Sequence, residues 1–224
     1  MDDEKYVDLD VTWLSQATIK IIKKDKGTNA LLAGAVYGVY SDAECQNLIV
    51  EMPATDEKGE SSVTINKTQD VVYLKEITGP AGYLVDIAAH DVSVVMGDTV
   101  TKELVDEEQM ASLTVYKEGE VLTGATVANG KVTFVYEMRR QKGAIYNVYA
   151  EADIVAADGT TVYQKGALVK ENLITGEDGS ATLENLHVGT YTVTEMQAPD
   201  TLVCTGESKT VTLTAGEHAE VQVR

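Results

Sequence analysis

The sequence contains an internal repeat, and this repeat limits the folds that the chain can adopt. Residues 72–80 and 191–199 share an apolar strand pattern that places one glutamate at the same distance from a proline. Aligned on Glu76 and Glu195, the two copies run without a gap to the last residue. In a chain of 224 residues, such a repeat predicts two domains of roughly 100 residues each.

Alternation of apolar and polar residues dominates both copies. It is clear at residues 18–21 and 190–193, where many of the residues are β-branched, and no segment keeps a helical period. Turn dipeptides such as Asn129-Gly130 separate these runs, as expected for hairpins. The pattern therefore predicts an all-β chain of two tandem antiparallel β-sandwich domains.

An acidic, polar stretch at residues 106–109 separates the two copies. We predict a first domain at residues 15–108 and a second at residues 109–224, with residues 1–14 as a leader or the end of a preceding module. The single tryptophan, Trp13, lies in this leader, where it would pack on the first domain or on a neighbouring module.

The second copy is longer than the first at two places. The segment after Lys117 exceeds its counterpart, and we expect the excess to form an extra hairpin that turns at Asn129-Gly130. Residues 151–172 form a second, longer segment with an Asp-Gly turn of its own.

An excess of acidic residues limits the partners of the chain. The 36 acidic residues outnumber the 18 basic residues, and the net charge is −18. Such a charge repels nucleic-acid phosphates and anionic lipid headgroups. No apolar run approaches the roughly 20 residues that a membrane-spanning helix needs. We therefore expect neither a nucleic-acid partner nor membrane insertion.

The cysteines and histidines do not form a metal or disulfide framework. Cys45 and Cys204 lie one in each copy, without metal-ligand spacing, and we interpret both as small buried or half-buried side chains. His90, His187 and His218 are also widely separated. We predict no metal, no cofactor and no enzymatic turnover.

Each copy places a lysine and a glutamate among apolar strand residues. Alternation puts Lys23 on the same face as Ile19 and Ile21, and Glu76 lies within an apolar strand. Removing ions from water costs several kcal/mol each unless they pair or neutralise, and burial favours the neutral forms. A neutral amine is a nucleophile and a neutral carboxylic acid can relay a proton. With a third carboxylate or amide, such a pair could form an amide bond.

The third member has to be an aspartate or an asparagine, and Asp106 fits in the first domain. It follows an alternating strand at residues 100–105 whose Leu104 would lie on its face. Two simpler interpretations stay open at this point. Lys23 could be a solvated strand lysine like its neighbours Lys20 and Lys24, and Asp106 could belong to a solvated acidic linker.

Three short motifs of the first domain resemble the signature of Cna B-type domains, the stalk modules of Gram-positive pilins and surface adhesins. That signature is Lys-x-Asp, Leu-x-Gly-Ala and Glu-x-x-Ala-Pro-x-Gly-Tyr, and the matching segments are Lys23-Lys24-Asp25, Leu32-Ala33-Gly34-Ala35 and Glu76-x-x-x-Pro80-x-Gly82-Tyr83. The resemblance implies a transthyretin-like (prealbumin-like), Ig-like sandwich. It also implies an isopeptide bond between Lys23 and Asp106, formed with Glu76 as the catalyst.

The second domain is similar to the same family, with Lys117 as the implied lysine and Glu195 as the implied catalyst. It departs from the signature because Gly119 replaces the aspartate and residues 200–202 replace the x-Gly-Tyr motif. The gap-free alignment puts the acceptor one position after Arg224. We therefore expect the last strand to stop short of its reactive residue, so that this domain closes no bond.

The resemblance implies an extracellular, cell-wall-attached stalk whose partners are neighbouring domains of the same surface protein. The alternative is a ligand-binding adhesin domain that grips a host protein or glycan through loops at residues 41–61 or 151–172. One tryptophan and one phenylalanine in the whole chain argue against a sugar-stacking platform.

Overall fold

The computed structural model describes residues 16–200 and 202–224. All regular elements in this part of the chain are β-strands, and it contains no helix with the length and apolar character needed to cross a membrane. The predicted leader at residues 1–14, including Trp13, lies outside the described residues.

The chain divides into two compact units between Glu108 and Gln109. The strands of the first unit are β1 (Gln16–Asp25), β2 (Val36–Tyr40), β3 (Leu48–Glu51), β4 (Glu60–Asn66), β5 (Val71–Thr78), β6 (His90–Ser93) and β7 (Thr99–Asp106). The strands of the second unit are β8 (Ala111–Ala128), β9 (Lys131–Arg140), β10 (Ile145–Ala150), β11 (Ile154–Val155), β12 (Thr161–Tyr163), β13 (Leu168–Ile174), β14 (Ser180–Leu186), β15 (Gly189–Gln197), β16 (Ser208–Leu213) and β17 (His218–Val223).

The first unit has a three-stranded sheet, in the order β4-β1-β7, and a four-stranded sheet, in the order β3-β2-β5-β6. Every second side chain of β1 is buried, which is the alternation that its sequence predicts. The apolar core consists of Ala17, Ile19, Ile21, Ala35, Tyr37, Val39, Met52, Ile65, Val72, Leu74, Val92, Val94 and Leu104. The core of this unit is therefore built from alternating strand positions of both sheets.

The second unit repeats this architecture. Its two main sheets have the orders β14-β8-β17 and β13-β10-β15-β16, so β8, β10, β15 and β17 correspond to β1, β2, β5 and β7. The two short strands β11 and β12 pair within the longer 151–172 segment. The repeat in the sequence is thus a repeat of the strand order.

One strand pairing in each unit departs from the predicted antiparallel pattern. β7 lies parallel to β1, and β17 lies parallel to β8. Parallel neighbours need a long crossover connection, and here that connection is the rest of the domain. The first and last strands of each unit are consequently side by side.

A two-stranded arm distinguishes the second unit. β8 is 18 residues long, and its second half pairs with β9 in an antiparallel hairpin. Asn129 and Gly130 have φ angles of 51° and 74°, the left-handed conformation that a tight hairpin turn requires. The side chains of β9 are exposed along its whole length.

Candidate functional site

The structure brings Lys23, Glu76 and Asp106 together inside the first sandwich. They come from β1, β5 and β7, and all three are less than 5 % exposed. The Nζ atom of Lys23 lies 2.5 Å from Oδ1 of Asp106 and 3.1 Å from Oε1 of Glu76. The site therefore holds a potential nucleophile, an acceptor carboxyl group and a second carboxyl group in direct contact.

The strand register explains why Lys23 and not a neighbouring lysine occupies this site. Lys20 and Lys24 lie on the other face of β1, where they form partly exposed ion pairs with Glu60 and Glu103. Parallel pairing sets Lys23 opposite Leu104, so Asp106 is the next inward-facing residue of β7. The Lys23 side chain is long enough to reach diagonally across the two strands to Asp106.

Tyr37 belongs to the site as well, and the sequence reasoning did not identify it. The Lys23 ammonium donates a hydrogen bond of 2.5 Å to the Tyr37 hydroxyl oxygen, and Nζ lies 5.0 Å from the centre of the ring. Burial, followed by the nearby charges of Glu76 and Asp106, raises the pKa of Tyr37 far above its ordinary value. A repeated Gly-Ala-x-Tyr segment, which recurs with Tyr146 in the second copy, was the available signal.

The two oxygens of Glu76 have different surroundings. Oε2 accepts a hydrogen bond of 2.7 Å from the backbone N–H of Asp86, whereas Oε1 faces the Lys23 ammonium at 3.1 Å. The Asp86 carboxylate in turn contacts Nε2 of His90 at 2.7 Å. One oxygen thus anchors the carboxylate, and the other is available to exchange a proton with Nζ.

Asp106 is in an environment that favours its neutral form. Burial raises the pKa of Asp106 to about 6, although the hydrogen bond and charge of Lys23 act in the opposite direction. Its second oxygen, Oδ2, has no hydrogen-bond partner among the described residues. A protonated carboxyl group is a better electrophile than a carboxylate, because its hydroxyl can leave as water.

The second domain holds a corresponding buried lysine–glutamate pair. Nζ of Lys117 lies 2.8 Å from Oε1 of Glu195, and both side chains are buried. Apart from this ion pair, neither oxygen of Glu195 has a hydrogen-bond partner among the residues that the structure describes, and the Tyr146 hydroxyl also has none there. The pairing sets Val223 opposite Lys117, as it sets Leu104 opposite Lys23. The position equivalent to Asp106 therefore follows Arg224.

The remaining sequence candidates do not form a second site. Cys45 is half-buried, but Cys204 is exposed, so the interpretation of both as buried or half-buried was wrong for Cys204. The physical reason is that Cys204 lies in the connection between β15 and β16, outside the sandwich core. Both thiols are free. Within residues 16–200 and 202–224, no group of three or more His, Cys, Asp or Glu side chains could hold a metal ion.

The family model described as the SpaA prealbumin-like fold domain matches the chain twice, at residues 17–108 and 137–224. The chain belongs to this family. The match confirms both the resemblance to tandem Cna B-type domains and the all-β, prealbumin-like fold. The second match begins within β9, after most of the inserted arm.

Several solved structures are similar to the chain. The TIE protein of Bacillus anthracis has 25 % sequence identity to this chain and a TM-score of 0.65, and the match covers 94 % of this chain. This chain spans only about a third (34 %) of the TIE structure. A streptococcal ancillary pilin has 22 % identity and a TM-score of 0.39, covering 94 % of this chain and 63 % of the pilin. BcpA, the major pilin subunit of Bacillus cereus, has 12 % identity and a TM-score of 0.38, covering 93 % and 98 %. None of the curated proteins compared with the chain matches it.

Proposed function

We propose that this chain is a structural stalk segment of a Gram-positive cell-surface adhesin or pilin, and that an autocatalytic isopeptide bond between Lys23 and Asp106 stabilises its first domain. The observation that carries the proposal is the contact of the Lys23 amine with both Asp106 and Glu76 in a buried site. Membership of the SpaA prealbumin-like family supports the stalk role.

The geometry supports a direct condensation. Starting from the Lys23 ammonium, ionised Glu76 and protonated Asp106, Glu76 takes one proton and the neutral amine attacks Cγ of Asp106. The C–N bond forms and the Cγ–OH bond breaks. The hydroxyl leaves with a second nitrogen proton as water, and Glu76 ends the reaction protonated. The reaction runs once, so the protein is not a turnover enzyme.

Such a bond would direct mechanical load along a short path. β1 and β7 are neighbouring parallel strands, and Lys23 and Asp106 lie near the end of each. Force that enters at the start of β1 would cross the bond and leave at the end of β7, so the rest of the sandwich would carry little of it. The bond would close a loop across 83 positions. In the chain-entropy model, closing such a loop raises the free energy of unfolding by on the order of 4 kcal/mol.

The setting of the stalk follows from the same proposal. The chain would be extracellular and attached to the cell wall through other parts of its protein, with the adjacent domains of that protein as its partners. The alternative, a ligand-binding adhesin domain that uses residues 41–61 or 151–172 to hold a host protein or glycan, stays a prediction. A binding screen with matrix proteins and glycans tests it.

The intact mass of the purified chain tests the crosslink. We expect the wild type to be lighter than its sequence by one water, and a protease digest to contain a peptide in which Lys23 is joined to Asp106. Glu76→Gln removes the proton acceptor while keeping the side-chain shape, so this variant should have the full mass.

The second domain provides the matched control for this experiment. Glu195→Gln changes the corresponding buried glutamate and should lose one water like the wild type. A wild-type protein of unshifted mass would contradict the covalent mechanism and leave only the family fold.

A further inference from the structure

The two domains differ at a pair of positions beside the lysine site, and both positions change together. In the first domain the hydroxyl of Tyr83 donates a hydrogen bond of 2.8 Å to Oδ2 of Asp25, and both side chains are buried. The equivalent positions in the second domain are Gly119 and Leu202. A Cβ atom built on Gly119 would overlap Cδ1 of Leu202. Leu202 thus fills the space that a side chain at position 119 would need.

Tyr83 fixes the segment at residues 80–86, which touches Glu76 and the two residues that follow Asp106. Tyr83 forms an antiparallel bridge with Glu108, and the Leu84 N–H donates a 2.9 Å hydrogen bond to the Glu107 carbonyl. The segment therefore lies along the two residues that follow Asp106. At its far end, the Asp86 N–H holds the Glu76 carboxylate.

Asp25 fixes the other side of the acceptor. It lies opposite Asp106 in the parallel β1–β7 pairing, and the next backbone N–H, of Lys26, donates a 2.9 Å hydrogen bond to the Asp106 carbonyl. Oδ1 of Asp25 accepts hydrogen bonds from the backbone N–H groups of Gly27 at 2.6 Å and Thr28 at 2.7 Å. Asp25 therefore orders the turn that holds the acceptor backbone.

The charge state of Asp25 suits this role. Burial alone would raise the pKa of Asp25, but hydrogen bonds from Thr28, Tyr83 and Gly27 outweigh it, and the pKa is lowered. An ionised carboxylate accepts from a hydroxyl and two amides at once. The contact is thus a stable polar junction between the end of β1 and the 80–86 segment.

We infer that Asp25 and Tyr83 are positioning residues for bond formation in the first domain, because their contact ties the segment that orients Glu76 to the turn that orients Asp106. The inference rests on the proposed crosslink. Neither residue touches the reacting atoms. Their contact shortens the search for the reactive geometry, and small misplacements of reacting groups are costly in rate.

The test is the rate at which newly made protein loses water. The full chain is produced by cell-free translation, synthesis is stopped, and samples are quenched in denaturant at intervals for intact-mass analysis. We expect Tyr83→Phe to react slower than the wild type by about tenfold or more. The double variant Asp25→Gly/Tyr83→Leu, which installs the pair of the second domain, should be similarly slow. Tyr73→Phe, which removes a hydroxyl from β5, should react at the wild-type rate.

A parallel measurement separates positioning from folding. Protease resistance of the same samples reports the folded fraction, which should match the wild type in all three variants while the rate falls in two of them. A wild-type rate in Tyr83→Phe and in the double variant would overturn the positioning role and leave the crosslink intact. A slower rate that is accounted for by an equal loss of folded protein would also overturn the positioning role. Absence of water loss from the wild type itself would instead overturn the proposed function.

Discussion

The two lysine sites of this chain share their central pair and differ in the contacts that surround it. Lys23 contacts Tyr37, Glu76 and Asp106, whereas Lys117 forms its ion pair with Glu195, and the hydroxyl of Tyr146 has no partner among the described residues. The same fold and the same buried lysine–glutamate pair thus occur in both domains, and only in the first do the described residues set an aspartate beside the pair. If the proposed bond forms, we expect reactivity to depend on this aspartate and on the contacts that hold it.

The largest expected difference between the domains is in the effect of removing the lysine. Lys23→Met should lower the free energy of unfolding of the first domain by the crosslink contribution, on the order of 4 kcal/mol, and also by the cost of leaving the buried carboxyl groups of Glu76 and Asp106 without their lysine partner. Lys117→Met should cost the second domain only the broken pair, about 3–5 kcal/mol. Differential scanning calorimetry of both variants measures the two transitions. A loss in the first domain that is no larger than the loss in the second would contradict a crosslink contribution of this size.

The second comparison can be tested by adding an aspartate to the chain after Arg224. An aspartate placed directly after Arg224, followed by two more residues, would occupy the position that the register aligns with Asp106. We expect the intact mass to fall by a second water, and the second domain to gain on the order of 4 kcal/mol.

Two changes in this extended chain serve as controls. In the first, alanine replaces the added aspartate. In the second, the added aspartate is kept and Glu195→Gln is introduced. Each should return the intact mass to that of a single water loss. If the aspartate forms no bond, the absence of the Asp25–Tyr83 contact in the second domain becomes the next explanation to test.

Bond formation in the first domain should depend on pH through Asp106. Because its pKa is raised to about 6, the neutral form needed for water loss dominates below that value and is depleted above it. The rate of water loss in nascent protein should therefore fall as the pH rises from 6 to 8, by up to about tenfold per pH unit. Asp106→Asn has no acid to titrate there and would release ammonia, so its rate should lack this fall.

The same shift affects stability before the bond forms. The folded state binds the Asp106 proton more tightly than the unfolded chain does, since its pKa lies above the ordinary 3.8. This stabilisation is fully present below pH 3.8 and is lost as the pH rises through about 6.

For the rate of water loss, a pH-independent value in the wild type would contradict the assignment of Asp106 as a neutral electrophile.

The smallest expected difference concerns the two tyrosines. Tyr37→Phe removes an acceptor from the Lys23 ammonium and should cost about 1–3 kcal/mol. Tyr146→Phe removes a buried hydroxyl that has no partner among the described residues, so it should be neutral or slightly stabilising. Thermal unfolding of both variants measures the difference. A larger loss from Tyr146→Phe would show that its hydroxyl has a partner in solution.

Much of the site could be predicted because its signals are local. Alternation along β1 singled out Lys23 over Lys20 and Lys24, and the repeated strand singled out Glu76 and Glu195. Tyr37 and the Asp25–Tyr83 contact could not be found in this way. Their partners are 14 and 58 positions away in sequence, and only the packing of the two sheets brings them together.

The sequence by itself determined the strand pattern, the duplication and the residues that face inward, because these follow from the two-residue period of a strand and from hydrophobic burial. The tertiary structure decided which inward-facing residues meet. The parallel pairing of the first and last strands sets Leu104 opposite Lys23, with Asp106 as the next inward-facing residue, and in the same register it sets Val223 opposite Lys117. This register depends on contacts between residues about 80 or more positions apart, and no local pattern specifies it.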